Sequence, residues 1–203
     1  MTAGAYEKIE GQKAKKFIER LNEAWRGSPF DAARTVVHAR PLSFVKGWML
    51  AEASDAVTMP EKKCIALDNG QTCVPVEYSP DFITNFAANQ NMYLSHATAP
   101  DYVRFWFEYV RSGPEKFQLV ETLDDIPWRE EPTPQARKSL AKMITPLTLT
   151  GPVGTGFAFK ACVLFRDTLF DCTLEVTASG GVHFTNRTIM AESLTVTDSF
   201  TGF

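Results

Sequence analysis

The chain is poor in the features that most readily identify a function. No run of apolar residues approaches the ~18 that cross a bilayer, and Met1 to Gly11 lacks the apolar stretch of a secretory leader. A soluble cytoplasmic protein with no membrane association is therefore expected, with its thiols reduced. The four cysteines, Cys64, Cys73, Cys162 and Cys172, include no Cys-x-x-C pair and no zinc spacing. A net charge of −3 is too small to mark a polyanion partner, so no nucleic acid is expected. No Gly-Lys-Ser/Thr phosphate loop, Gly-x-Ser-x-Gly elbow or His-Glu-x-x-His pair occurs, and neither cofactor nor metal is expected. Asn186-Arg187-Thr188 has the form of a glycosylation sequon, which without a leader is chance.

Aromatic residues are plentiful. With 15 Phe and 4 Trp in 203 residues, the chain needs either a bulky core or one apolar cavity. The length and ordinary composition predict one domain spanning 1–203. Asp124 to Pro134, acidic and carrying three prolines, is the best internal linker and the place for any subdomain break.

Helical periodicity is clearest where Ala14, Phe17, Ile18, Leu21 and Trp25 form one stripe, stopped by Gly27 and Pro29. Lys13, Lys15, Lys16 and Arg20 read as the solvated outer face of that helix. Ser28-Pro29 with Asp31 predicts a second helix carrying Phe30, Ala33, Val36 and Val37 and ending before Pro41. Ser79-Pro80 and Thr133-Pro134 predict two further helices by the same capping chemistry.

Tyr102 to Val110 is rich in aromatic and β-branched residues, which favour a strand. Asp101, Arg104, Glu108 and Arg111 share one helical stripe, however, and Thr98 with Asp101 forms a capping box. Gly113-Pro114 supplies a stop, and a helix with an Arg104–Glu108 pair is expected. Phe117 to Thr122 should then be a strand.

Strands are expected over Leu42 to Glu52, with Gly47 as a bulge, and on both sides of the hairpin signal Asp68-Asn69-Gly70. Phe157 to Phe165 and Leu169 to Val176 form a second hairpin whose register follows from its apolar face. Setting Val163 opposite Phe170 also sets Ala161 against Cys172, Phe159 against Leu174 and Phe157 against Val176. Cys162 and Cys172 then point to opposite sides, which excludes a disulfide. The turn at Thr177–Gly181 brings Val182 and Phe184 back onto Val176 and Leu174, and a last strand near Met190–Val196 completes a meander. The face carrying Phe157, Phe159, Phe170, Leu174, Val176 and Phe184 should be covered. The face carrying Lys160, Asp171, Thr173 and Glu175 should be wet. The class is α+β: N-terminal helices packed on a curved antiparallel sheet, with a C-terminal β-meander.

Each candidate site has a plain structural reading beside it. Gly151 to Gly156 leads into a strand instead of a helix, so it reads as a flexible loop and not as a phosphate cradle. Asp124, Asp125, Glu130 and Glu131 lack calcium-loop spacing and read as a solvated loop, with Trp128 either anchoring it or meeting a partner. His38 should end the second helix, and His183 should face outward on its strand. His96 follows the strand-like Met92-Tyr93-Leu94 and precedes a helix cap, where sites collect, but no nucleophile or orienting carboxylate is assigned to it.

Two functions stay open. The first is a non-catalytic binding or protein-interaction module, joined to a protein partner or to a second copy through the aromatic Tyr102–Val110 segment. The second is a small-molecule-binding domain with an apolar pocket between meander and helices. There Tyr93, Trp106 and Phe159 would contact a small apolar ligand and His96 would act as acid or base.

Overall fold

A computed structural model describes residues 4–111 and 116–197. The contacts group the chain into two compact units, 1–77 and 78–203, and Asp124 to Pro134 falls inside the second. Both units are α+β with antiparallel sheets.

The first unit runs β1 (Glu7–Ile9), α1 (Gly11–Ala24), β2 (Val36–Pro41), β3 (Met49–Asp55), β4 (Lys62–Asp68) and β5 (Cys73–Pro75). Its five strands lie side by side in chain order. The predicted stripe of α1 meets one sheet face: Phe17, Ile18 and Leu21 are buried with Val37, Ala39, Ala51, Ala53, Cys64, Ala66 and Cys73, and Ala14 and Trp25 pack against them. Ala39 pairs with Ala51, and Ala51 with Ala66, so a row of methyl groups crosses three strands. Larger side chains there would hold the helix further off.

The second helix expected from Pro29 does not form. The Asp31 side chain accepts the Ala33 N–H at 2.9 Å and its carbonyl accepts the Thr35 N–H at 2.9 Å, closing a turn that releases the chain into β2. β2 is paired on both sides, with β1 and β3, and its burial alternates with Val37 and Ala39 inward. The β-branched run Thr35-Val36-Val37 suits that pleat, and two ladders of hydrogen bonds outweigh one local cap. His38 therefore sits mid-strand, opposite Lys8 and Glu52, and not at a helix end. The strand expected from Leu42 begins only at Met49, because the Leu42 N–H bonds the Trp48 carbonyl at 2.9 Å around a turn with Gly47 at φ 82°. The Asp68-Asn69-Gly70 hairpin joins β4 to β5 as read.

The second unit contains α2 (Pro80–Asn89), α3 (Ala99–Tyr109), β6 (Phe117–Val120), a 3₁₀ turn (Leu123–Asp125), α4 (Pro134–Met143), β7 (Thr148–Val153), β8 (Gly156–Phe165), β9 (Thr168–Val176) and β10 (Val182–Ala191). The sheet order is β10-β9-β8-β6, and β7 shares the β6 edge of β8. Ser79 and Thr133 cap α2 and α4 as expected, accepting the Phe82 and Ala136 N–H groups at 3.1 and 3.3 Å. The β8–β9 register is the one derived from the apolar face: Val163 opposite Phe170, Ala161 opposite Cys172, Phe159 opposite Leu174, Phe157 opposite Val176. All four cysteines are free and buried. β10 returns with Val182 on Val176 and Phe184 on Leu174. It is one strand through Ala191, and the separate strand expected at Met190–Val196 is reduced to a bridge between Val196 and Trp128.

Tyr102 to Tyr109 is helical, within α3, and Val110 is its extended C-cap. Its Thr98–Asp101 capping box is not made. Thr98 has helical backbone angles, and its hydroxyl donates to the Tyr93 carbonyl at 2.9 Å and accepts the Ser95 N–H at 2.9 Å. Arg104 pairs not with Glu108 but with Glu121 just beyond β6, through two contacts of 2.8 Å. The Gly113-Pro114 stop lies outside the described residues.

The meander faces differ from expectation in one respect. Phe159, Ala161, Val163, Cys172, Leu174 and Val176 are buried on the covered face, and Lys160 and Asp171 are exposed on the other. That second face is wet over only part of its area. Val120, Cys162, Leu164 and Leu169 form a small core there, covered by Ile126, Leu123, Trp128, Ile144, Met190, Leu194 and Val196. The acidic segment is thus an ordered lid on this core. Trp128 anchors it, donating from Nε1 to the Leu123 carbonyl at 3.2 Å, and Arg137 ties Asp124 to Glu131 at 2.6 and 2.9 Å.

Gly151 to Gly156 is a tight hairpin between β7 and β8, not a flexible loop, with Gly154 at φ 55° in the turn. Gly156 is required by proximity: a Cβ there would lie 1.9 Å from the Val176 carbonyl oxygen.

Candidate functional site

The residues singled out from sequence have very different surroundings. His96 is exposed in the turn before α3, and Met92-Tyr93-Leu94 ahead of it is irregular instead of strand. Its ring stands edge-on to Phe157, centroids 5.3 Å apart, and among the described residues its side chain makes no hydrogen bond or ion pair. Tyr93 is 71% exposed, whereas Trp106 is packed edge-to-face on Phe107 and Phe159 is wholly buried. The aromatic side chains of Tyr102–Val110 are interior as well: Tyr102, Phe105, Trp106, Phe107 and Tyr109 are all buried. They build the core and offer no surface.

A better-formed hollow lies in the first unit, between α1 and the sheet. Lys13, Lys16, Phe17 and Arg20 recur at i, i+3, i+4 and i+7, so they line one face of α1. Phe17 belongs to this face and to the buried stripe at once. Below them the sheet offers Ile9 from β1, Val37 and Ala39 from β2, and Met49 and Ala51 from β3. The space enclosed is a cleft of about 460 Å³, inside the range of about 300–1,000 Å³ that small-molecule sites occupy. Its shape follows from the alanines, since the methyl groups of Ala39 and Ala51 leave a trough that Leu or Phe would fill.

One end of the cleft is closed by charge. Arg20 donates from Nε and Nη2 to the two Asp68 oxygens at 2.9 and 2.8 Å, and Asp68 also accepts the Gly70 N–H at 3.2 Å. The hydrogen bond to Asp68 raises the Arg20 pKa further, so the guanidinium is permanently charged. At the rim are Glu7, Gly47 and Asn69, together with Lys13 and Lys16, which are exposed and make no ion pair among the described residues.

The lining of the cleft contains no histidine, cysteine, serine or threonine; its polar side chains are Glu7, Lys13, Lys16, Arg20, Asp68 and Asn69. Thiol chemistry has no support nearby either: burial pushes Cys64 up to about 12, and burial with the neighbouring Asp68 charge does the same to Cys73. Among the described residues no three metal-ligating side chains gather.

Sequence reasoning found the helix stripe and its lysines but read the lysines only as a solvated face. They are solvated, and they also edge the cleft. The floor was out of reach because residues 29–40 read as a helix, which hid the strand alternation of Val37 and Ala39. The usable signal was the spacing of small residues, Ala39, Ala51, Ala53 and Ala66, at alternating strand positions. Comparison with protein-family models, curated proteins and solved structures finds no match to this chain.

Proposed function

We propose that the chain is a non-catalytic binding protein whose α1–sheet cleft takes a small, largely apolar molecule. The observation that carries this reading is the alanine trough: Ala39 and Ala51, with Ile9, Phe17, Val37 and Met49, line a hollow of about 460 Å³ beside the helix–sheet core. An apolar molecule in that trough would remove the exposed hydrocarbon around it from water, at about 25 cal/mol per Å². The pairing of Arg20 with Asp68 holds α1 at its distance from the sheet, so the trough exists before a ligand arrives and little ordering opposes binding. A floor of hydrocarbon, with neither a hydroxyl or thiol nucleophile nor a histidine in the lining, favours a carrier or sensor over an enzyme.

The test is a titration of the ¹⁵N-labelled chain with 1-nonanol, followed by amide chemical shifts. Saturable shifts concentrated at Phe17, Ala39 and Ala51 are expected. Shifts absent up to the solubility limit, or confined to residues 78–203, overturn the reading.

A further inference from the structure

The chemistry of the ligand is legible in the rim, given that the cleft is the binding site. Three cations, Lys13, Lys16 and Arg20, face two anions, Glu7 and Asp68, leaving one net positive charge. Its location matters more than its sum. Arg20 and Asp68 neutralise one another at the end of the cleft beside the 68–70 turn, with both guanidinium prongs occupied. The excess therefore sits at the other end, on Lys13 and Lys16.

These lysines lie three residues apart on one helix face, close enough for two ammonium groups to converge on one small anion. Neither has an ion-pair partner among the described residues. The nearby Lys8, by contrast, is engaged by Glu10 at 2.7 Å. Two ammonium groups without an ion-pair partner among the described residues thus edge the apolar trough.

We infer that the ligand is an amphiphilic monoanion: an unbranched or aromatic hydrocarbon body lying in the Ala39–Ala51 trough, with a carboxylate held by Lys13 and Lys16. Glu7, the one anion of the rim without an ion-pair partner among the described residues, sets the limit at one negative charge, because a dianion would meet it with only two lysines in return. Lys is suited to this task, since a compact ammonium on a flexible stem follows a carboxylate whose depth varies with chain length.

The experiment compares sodium nonanoate with 1-nonanol by calorimetry, on the intact chain and on the Lys13→Gln/Lys16→Gln variant. Both lysines are exposed, so the fold is unaffected by the substitutions. The intact chain should bind nonanoate about tenfold more tightly than nonanol at low salt, with the preference shrinking as salt screens the rim. In the variant the two affinities should converge. Equal affinities in the intact chain, or a preference that survives both substitutions, overturn the inference and leave the cleft standing as an apolar site. Binding of neither compound overturns the site and the inference together. Binding of nonanoate alone, lost in the variant, supports the contact with Lys13 and Lys16 and overturns the apolar trough.

Discussion

Arg20 on α1 and Asp68 at the end of β4 meet as a two-pronged ion pair, Nε to Oδ1 at 2.9 Å and Nη2 to Oδ2 at 2.8 Å, across 48 residues of chain. The pair joins the helix to the far end of the sheet and closes one end of the cleft. Both side chains are largely removed from solvent, so losing one leaves the other poorly satisfied. Arg20→Ala should cost about 2–4 kcal/mol of unfolding free energy, because Asp68 would be stranded. Arg20→Lys should recover less than half of that, since an ammonium cannot reproduce the fork. Urea denaturation measures both, and a loss below about 0.5 kcal/mol for Arg20→Ala would show that the pair is ornamental.

Tyr102 donates to the Gly180 carbonyl at 2.6 Å from a buried position, and Gly180 at φ 87° comes so close that a Cβ would lie 2.7 Å from the Tyr102 hydroxyl. Tyr102→Phe deletes the donor and leaves a buried carbonyl, at about 1–3 kcal/mol. Gly180→Ala should cost more than Tyr102→Phe, since it adds backbone strain to a steric collision. The order of the two thermal midpoints decides the point, and a reversed order contradicts the geometry.

Gly156→Ala should disrupt the β8–β9 hairpin, because the new methyl group would overlap the Val176 carbonyl oxygen at 1.9 Å. A loss of about 2–4 kcal/mol is expected, as for other overpacked buried positions. Hydrogen exchange should show the loss first at Phe157 and Val176, which pair beside it. Unchanged protection there would contradict the assigned register.

Stability should fall on the alkaline side. Burial holds the Cys64 and Cys73 thiols up to about 12, against an ordinary value of 9.0. The unfolded chain releases those protons near the ordinary value. From there to about pH 12 it binds fewer protons than the folded chain, so stability declines as pH rises. Each thiol contributes a slope approaching about 1.4 kcal/mol per pH unit. Burial raises the Tyr102 phenol as well, which adds to the decline at still higher pH. Unfolding free energies measured from about pH 8 to 10.5 should decline in the native chain and less steeply in Cys64→Ala/Cys73→Ala, where Cys162 and Cys172, also raised by burial, keep part of the slope; parallel curves would show that Cys64 and Cys73 are not a cause.

What the sequence disclosed depended on how local the deciding interaction was. The β8–β9 register was legible because an apolar face with period two admits one alignment, and the caps at Ser79 and Thr133 were legible because a hydroxyl, a proline and the orphan N–H groups lie within four residues. β2 was misread for the complementary reason. A sound local cap at Ser28-Pro29 competed with ladders to β1 and β3, whose partners lie elsewhere in the chain. Arg104 illustrates the same limit: Glu108 was one turn away, but Glu121 offers both carboxylate oxygens at once. In the cleft, the lysines could be seen from their helical spacing, while the trough beneath them required the pairing of Ala39 with Ala51.

The central claim is that an apolar body lies on that alanine row. Its most direct test is an intermolecular nuclear Overhauser measurement on the chain with ¹³C-methyl-labelled alanine, saturated with nonanoate. Contacts from the ligand methylenes to the methyl groups of Ala39 and Ala51 are predicted, with none to Ala161 in the second unit. Contacts to Ala161, or to neither Ala39 nor Ala51, would contradict the account.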